Sequence, residues 1–236
     1  MLWLHETHHV IGKRENEFEA LYRDAWMPQL AEIDGVRLLY FLKHAHGSGA
    51  SYRVVTISGL RDASCWAGLQ ASVDQGSLAD TSQQLDQTRH DVVGKLLAPL
   101  PWARESQVQL GEVPTDGRSH ELSVFMEDTV WPHANLLERY VEAAGAHYAA
   151  EIGQREKEGH AILSIQGAYR TAFGAGRRRE ILLWQKVTRP EALAALIANE
   201  VPEKYKRPGT WMNDALELRD HWESRLLRTT EWSPLY

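Results

Sequence analysis

The segment Leu2–Val10, LWLHETHHV, sets His5, Glu6, His8 and His9 within five residues, and His44 and His46 follow as an HAH triplet. These side chains can move protons or hold metals. Histidine titrates near neutral pH, and a carboxyl group withdrawn from water is pushed up toward that range. On one reading, Glu6 and His8 are a catalytic acid–base pair with His44 nearby. On a second, His5, His8, His9, His44 and His46 supply ligands to haem or to a metal, in a His-and-carboxylate set of the kind used by zinc or non-haem iron. On a third, the cluster is the polar side of an ordinary strand. His5-Glu6-Thr7-His8-His9 matches HExxH letter for letter, but that chemistry needs both histidines on one face of a helix. In a strand the two lie ~13 Å apart, at ~3.3 Å per residue, too far to share an ion.

Strand parity sorts these residues. Leu4, Glu6, His8 and Val10 share one face; Trp3, His5, Thr7 and His9 share the other, and parity leaves open which looks inward. Tyr40, Leu42, His44 and His46 share a face, with Tyr40 a candidate substrate contact. In the second half, Glu127 and Asp128 point to opposite faces, so that one of them, Asp128 in the present assignment, lines a pocket. Ser164, Gln166 and Arg170 share a face and are expected to line the interior there. Arg170 facing inward would hold a carboxylate or enolate, and facing outward it would be a surface charge. Cys65 beside Trp66 reads as a core residue.

The elements that position these groups form a repeat. HGSGAS (His46–Ser51) and FGAGRR (Phe173–Arg178) are glycine-rich hairpin loops 127 residues apart. The same offset sets Val54 on Ile181, Ile57 on Trp184, Leu60 on Val187, Trp66 on Leu193 and Leu69 on Leu196. Each half reads β-α-β-β-α-β, the ferredoxin-like arrangement. Strand Leu2–Val10 precedes a helix over Lys13–Glu32, with Phe18, Leu21, Tyr22 and Ala25 as its apolar stripe. Val36–Leu42 and Tyr52–Ser58 form a hairpin, Asp62 caps a helix beginning near Ala63, and Gln107–Val113 is the expected last strand. The second half runs from strand Leu122–Val130 through a helix opened by Pro132 and His133. The hairpin Ala161–Thr171/Arg179–Val187 follows, then a helix with Pro190 in its first turn, then a final strand, Leu226–Thr230. The repeats are taken as residues 1–113 and 120–236, with 114–119 as connector. An α+β protein of two tandem repeats whose sheets pack face to face forms a barrel, which one chain can close alone.

Composition limits the function classes. The 236 residues are 43% hydrophobic, with a net charge of −6, which offers no general attraction to nucleic acid or anionic lipid. The basic run Arg177-Arg178-Arg179 reads as a solvated hairpin tip. No apolar run approaches the roughly 20 residues of a membrane span, and no signal peptide is visible. A single cysteine excludes an intrachain disulfide and suggests a cytoplasmic setting. Nine tryptophans and exposed sheet edges point to a homodimer.

HETHHVIGKRENEFEALY, TVWPHANLLERYVEA and WMNDALELRDHWESRLLRT resemble the strand–turn–helix entries and last helix–strand passage of NIPSNAP-type proteins, within the dimeric α/β-barrel superfamily. The resemblance implies a small apolar substrate, aromatic or polyketide-like, handled without a cofactor. The reaction would be a cyclisation, isomerisation, dehydration or oxygenation. The superfamily also hosts haem enzymes and proteins without known activity, so a haem- or metal-dependent oxidoreductase and a non-catalytic ligand-binding barrel are the alternatives.

Overall fold

A computed structural model describes residues 1–103, 108–174, 176 and 178–236; Gln107, Arg177 and the side chain of Leu196, which enter the expectations above, lie outside the described residues. Eight strands run β1 Leu2–Val10, β2 Val36–His44, β3 Arg53–Leu60, β4 Arg89–Pro99, β5 Val124–Trp131, β6 Leu163–Phe173, β7 Ile181–Val187 and β8 His221–Thr229. They close an antiparallel barrel in the order β1-β3-β2-β8-β5-β7-β6-β4. One chain therefore supplies both sheets, sealed at β2–β8 and β4–β6.

The duplication extends to backbone detail. Gly47 and Gly174, one offset apart, both take positive φ (82° and 84°) in their hairpin loops, a conformation glycine adopts without a Cβ penalty. A bulge falls between Leu38 and Tyr40 and again between Ile165 and Gly167, the same place in each repeat. The second bulge corrects the expected lining. An extra residue reverses the parity downstream, so Arg170 turns outward and binds Glu138, while Gln166 donates to Ser164 Oγ at 2.9 Å.

The expected strand Gln107–Val113 is a second correction. The last strand of the first half is β4, which pairs with β1 from Trp3↔Leu97 to Val10↔Arg89. Leu110–Glu112 is instead a 3-10 turn. Leu110 and Val113, three residues apart, suit such a turn, and with Val108 and Leu235 they close one end of the barrel over Trp3, Tyr40, Phe125 and Trp184. Each such large side chain removed from water contributes ~1.5–3 kcal/mol.

Helices cover the outside. In α1 (residues 15–31) a π-helical turn, Tyr22–Trp26, interrupts the α-helix. Side chains four apart drift ~40° per step around a regular helix. The wider turn reduces that drift and keeps Phe18, Tyr22 and Trp26 in successive ring contact, at 5.2 and 5.7 Å. Asp62 caps α2 (Ala63–Gln75) by accepting from the Cys65 amide at 3.0 Å, as expected. α3 (Ala79–Asp86) follows. In the second half, α4 (residues 137–157) carries its own π-helical turn, Ala144–Ala149. It begins later than Pro132 and His133 suggest, because Asn135 takes positive φ (64°). α5 (Pro190–Ala198) and the single turn α6 (Trp211–Asp214) complete the chain. Among the described residues, no helix is long and apolar enough to cross a membrane.

Candidate functional site

The pleat divides the N-terminal cluster between two environments. Glu6 and His8 face outward, under α1. Arg89 Nη1 donates to His8 Nδ1 at 2.8 Å, so the ring proton sits on Nε2 and reaches Thr56 Oγ1 at 3.0 Å, with the Tyr22 hydroxyl 3.4 Å away. Burial, reinforced by the Arg89 and His5 charges, pushes His8 well below its ordinary value, so the ring is neutral. Burial raises the Glu6 carboxyl against the opposing pull of Arg89, His5 and the Thr56 hydroxyl. Phe18, Tyr22 and Trp26 pack over this cluster.

His5 and His9 face into the barrel. Glu127 occupies the position equivalent to His5 in the second repeat, each opposite the matching residue of its hairpin, Ile57 or Trp184. The two meet across the interior, His5 Nε2 donating to Glu127 Oε2 at 2.6 Å, at 3% and 2% exposure. Burial alone would raise the Glu127 carboxyl. His5, with Arg225 and Lys95, overcomes burial and holds it below its ordinary value. His9 pairs with Asp91 at 3.2 Å. His44 also faces inward, where burial and then Arg225 lower it against the pull of Glu127. The sheet thus separates Glu6 and His8 from His44. Tyr40 lies in the interior beside Phe125 and Trp184, and His46 is exposed in the hairpin loop. Among the described residues no group of three or more His, Cys, Asp or Glu is placed to hold a metal, so the N-terminal histidines do not form the ligand set considered above.

The second half holds a cavity of about 1030 Å3 between α4, the start of β6 and the segment leading through α6. Ala143, Ile152, Leu163, Trp211, Met212 and Leu218 form its apolar wall, and Tyr148 brings a hydroxyl to it. That hydroxyl donates to Gln185 Oε1, and Gln185 Nε2 donates to Asp128 Oδ2 at 2.9 Å. Burial raises the Asp128 carboxyl, with Glu127 adding to the effect and Ser224, Gln185 and Arg219 opposing it. Its Oδ1 is buried without a hydrogen-bond partner. Burial likewise pushes the Tyr148 phenol well up. Asp128 does not itself line this cavity; two hydrogen bonds, through Gln185, link it to Tyr148, which does. Helical spacing alone marks Tyr148, in the helix expected after Pro132 and His133, and Gln185 carries no sequence signal, since neither residue type nor spacing marks a strand amide as a link.

No protein-family model matches the sequence, and no curated relative does. Solved structures do match. An anthrone oxidase-like protein superposes with a TM-score of 0.64 at 9% identity, over 97% of this chain and 91% of that one. A putative monooxygenase from Lactobacillus acidophilus NCFM gives 0.56 at 9% identity, over 98% and 97%. A chlorite dismutase from Candidatus Nitrospira defluvii gives 0.53 at 9% identity, over 97% and 90%. These likenesses concern the fold alone, an α/β architecture around an eight-stranded antiparallel barrel. A NIPSNAP-domain protein from Burkholderia xenovorans aligns with only 43% of this chain, at a TM-score of 0.37 and 18% identity.

Proposed function

We propose that the chain is an enzyme that takes a flat, largely apolar small molecule, aromatic or polyketide-like, into the second-half cavity and works on it by acid–base chemistry at Asp128. The observation that carries this reading is the joining of an apolar cavity of about 1030 Å3 to a buried carboxyl of raised pKa through Tyr148 and Gln185. A carboxylate that binds its proton more tightly is a stronger base, suited to removing a proton from carbon beside a carbonyl. The resulting enolate is the common first intermediate of isomerisation, cyclisation, dehydration and cofactor-free oxygenation. Oxygenation is favoured, in keeping with the anthrone oxidase-like and monooxygenase-like folds.

Anthrone serves as the probe. Loss of its acidic C–H proton and oxidation by O2 converts one anthrone and one O2 to one anthraquinone and one water. Saturable quenching of Trp211 fluorescence and anthrone-dependent oxygen uptake are expected. Asp128→Asn is expected to bind as wild type and to lose about 10²-fold or more in turnover. Absence of saturable binding would sink the reading.

A second reading rests on His147, which brings an imidazole to the same lining, with Arg155 and Lys204 near it. These residue types suit a haem iron and its carboxylates. Titration with haemin, followed by its absorption band in wild type and His147→Ala, tests it.

A further inference from the structure

The segment that plugs the closed end of the barrel has a second cavity beside it. Leu110 of that plug packs down on β3 at Gly59, where a Cβ would fall 2.6 Å from Leu110 Cδ2, so a larger residue there would push the plug away. Arg37 on β2 stands directly across from Gly59. The cavity at this end measures about 400 Å3. Met1, Val108 and Leu110 form its apolar side, and Arg37, Arg61 and Asp34 its polar side. Gly111, also in the lining, borders open space, since a Cβ there would meet nothing within 4 Å.

The two arginines are used differently. Arg61, more than half exposed, donates from Nη2 to Asp34 Oδ2 at 2.8 Å, and that bond holds the Asp34 carboxyl below its ordinary range. Arg37 has no carboxylate partner among the described residues. Its Nη1 donates to two backbone carbonyls, Ala31 O at 2.7 Å and Val36 O at 2.6 Å, which fix the plane of the guanidinium. Its other edge, Nε with Nη2, finds no acceptor among the described residues, and the Nε is buried. That edge is a two-pronged donor matched to the two oxygens of a carboxylate. A buried donor left without an acceptor is costly, so a guanidinium anchored by the backbone with its fork unfilled points to a guest. Arginine keeps its proton at any working pH, so this inventory does not change with titration. The charged side chains in the lining are Arg37, Arg61 and Asp34, and one positive charge is left over once Asp34 is paired.

We propose that this cavity is a binding site, separate from the second-half cavity, for a small molecule that carries one carboxylate on an apolar body. The carboxylate oxygens accept from Arg37 Nε and Nη2, with Arg61 adding positive charge at the rim. The apolar body lies against Met1, Val108 and Leu110, which favours an organic carboxylate over an inorganic anion.

Benzoate is the probe and benzamide its neutral control, followed by calorimetry and by NMR of the Arg37 Nε–H and Gly111 amide signals. Benzoate is expected to bind saturably and to shift both signals. Benzamide, with the same ring and no charge, is expected to need about tenfold higher concentration. Arg37→Lys keeps the charge and loses the fork, and is expected to weaken benzoate about tenfold. Arg61→Ala, at an exposed position, is expected to weaken it severalfold and serves if Arg37→Lys does not fold. The proposal is overturned by no saturable shift of these signals, by benzamide binding as tightly as benzoate, by inorganic phosphate binding more tightly than benzoate, or by wild-type affinity in either folded variant.

Discussion

The two repeats build their strands in one register but cover the outer face differently. In the first, α3 follows α2 closely and packs toward α1, and Phe18, Tyr22, Trp26, Leu78 and Leu85 are all buried. The polar residues beneath, Glu6, His8, Thr56 and Arg89, bond to one another. In the second, α5 gives way to a loop and the single turn α6, which meets α4 through Trp211 against Tyr140 and Tyr148 and leaves the cavity beside that contact. Asp128, at the position equivalent to Glu6, keeps an unpartnered oxygen, and Arg219 nearby keeps an unpartnered nitrogen. A duplicated fold can thus rest its stability on one half while the other keeps an under-packed, partly unsatisfied region suited to a ligand.

The largest effect that would break this contrast is in packing. Phe18→Ala is expected to cost ~3–5 kcal/mol in urea unfolding, whereas Trp211→Ala, at the cavity wall, is expected to cost about 1 kcal/mol. Comparable losses would mean that the halves are equally packed. Turnover comes next: Asp128→Asn is expected to lose about 10²-fold in oxygen uptake while Glu6→Gln retains it, and the reverse pattern would move the site under α1.

Two pH measurements sharpen the contrast further. The Asp128 carboxyl is raised in the fold, so the stability it contributes is present in acid and is lost as pH rises through its folded value. Asp128→Asn is therefore expected to raise Tm at pH 7 and to lose that gain in acid. His8 is lowered, so its contribution is present above the unfolded histidine value of about 6.5 and is lost as pH falls. His8→Gln is expected to flatten the fall of Tm below pH 6.5. The smallest effects are expected at Lys43 and Arg170, equivalent positions that each tie a strand to the start of its helix, Lys43 through Glu15 and Glu19 in the first two turns of α1 and Arg170 through Glu138 in the first turn of α4. Arg170→Ala is expected to leave Tm almost unchanged, because its pair is exposed to solvent.

Much of the fold was legible in the sequence because it follows from local rules. Alternating residues marked most strands, the Phe18–Tyr22 stripe marked α1, Asp62 marked a cap, and the 127-residue offset exposed the duplication down to the two loop glycines. β4 was missed because Arg89–Gly94 is polar and largely exposed, so its pairing to β1 left little hydrophobic alternation to read. The face that Ser164, Gln166 and Arg170 were expected to share does not hold, because a bulge, invisible in residue types, changes parity and leaves Arg170 as the outward charge that was one of its two readings.

The sequence by itself determined which residues share a face and which helices must cover the sheets, since periodicity of two or 3.6 is written residue by residue. Only closure of the barrel decided which face is inside. That choice sent His5 to Glu127, 122 residues away, and His8 to Arg89. It also placed Asp128 behind the cavity. Contacts of that kind depend on where whole elements cross in space, and no spacing along the chain records it.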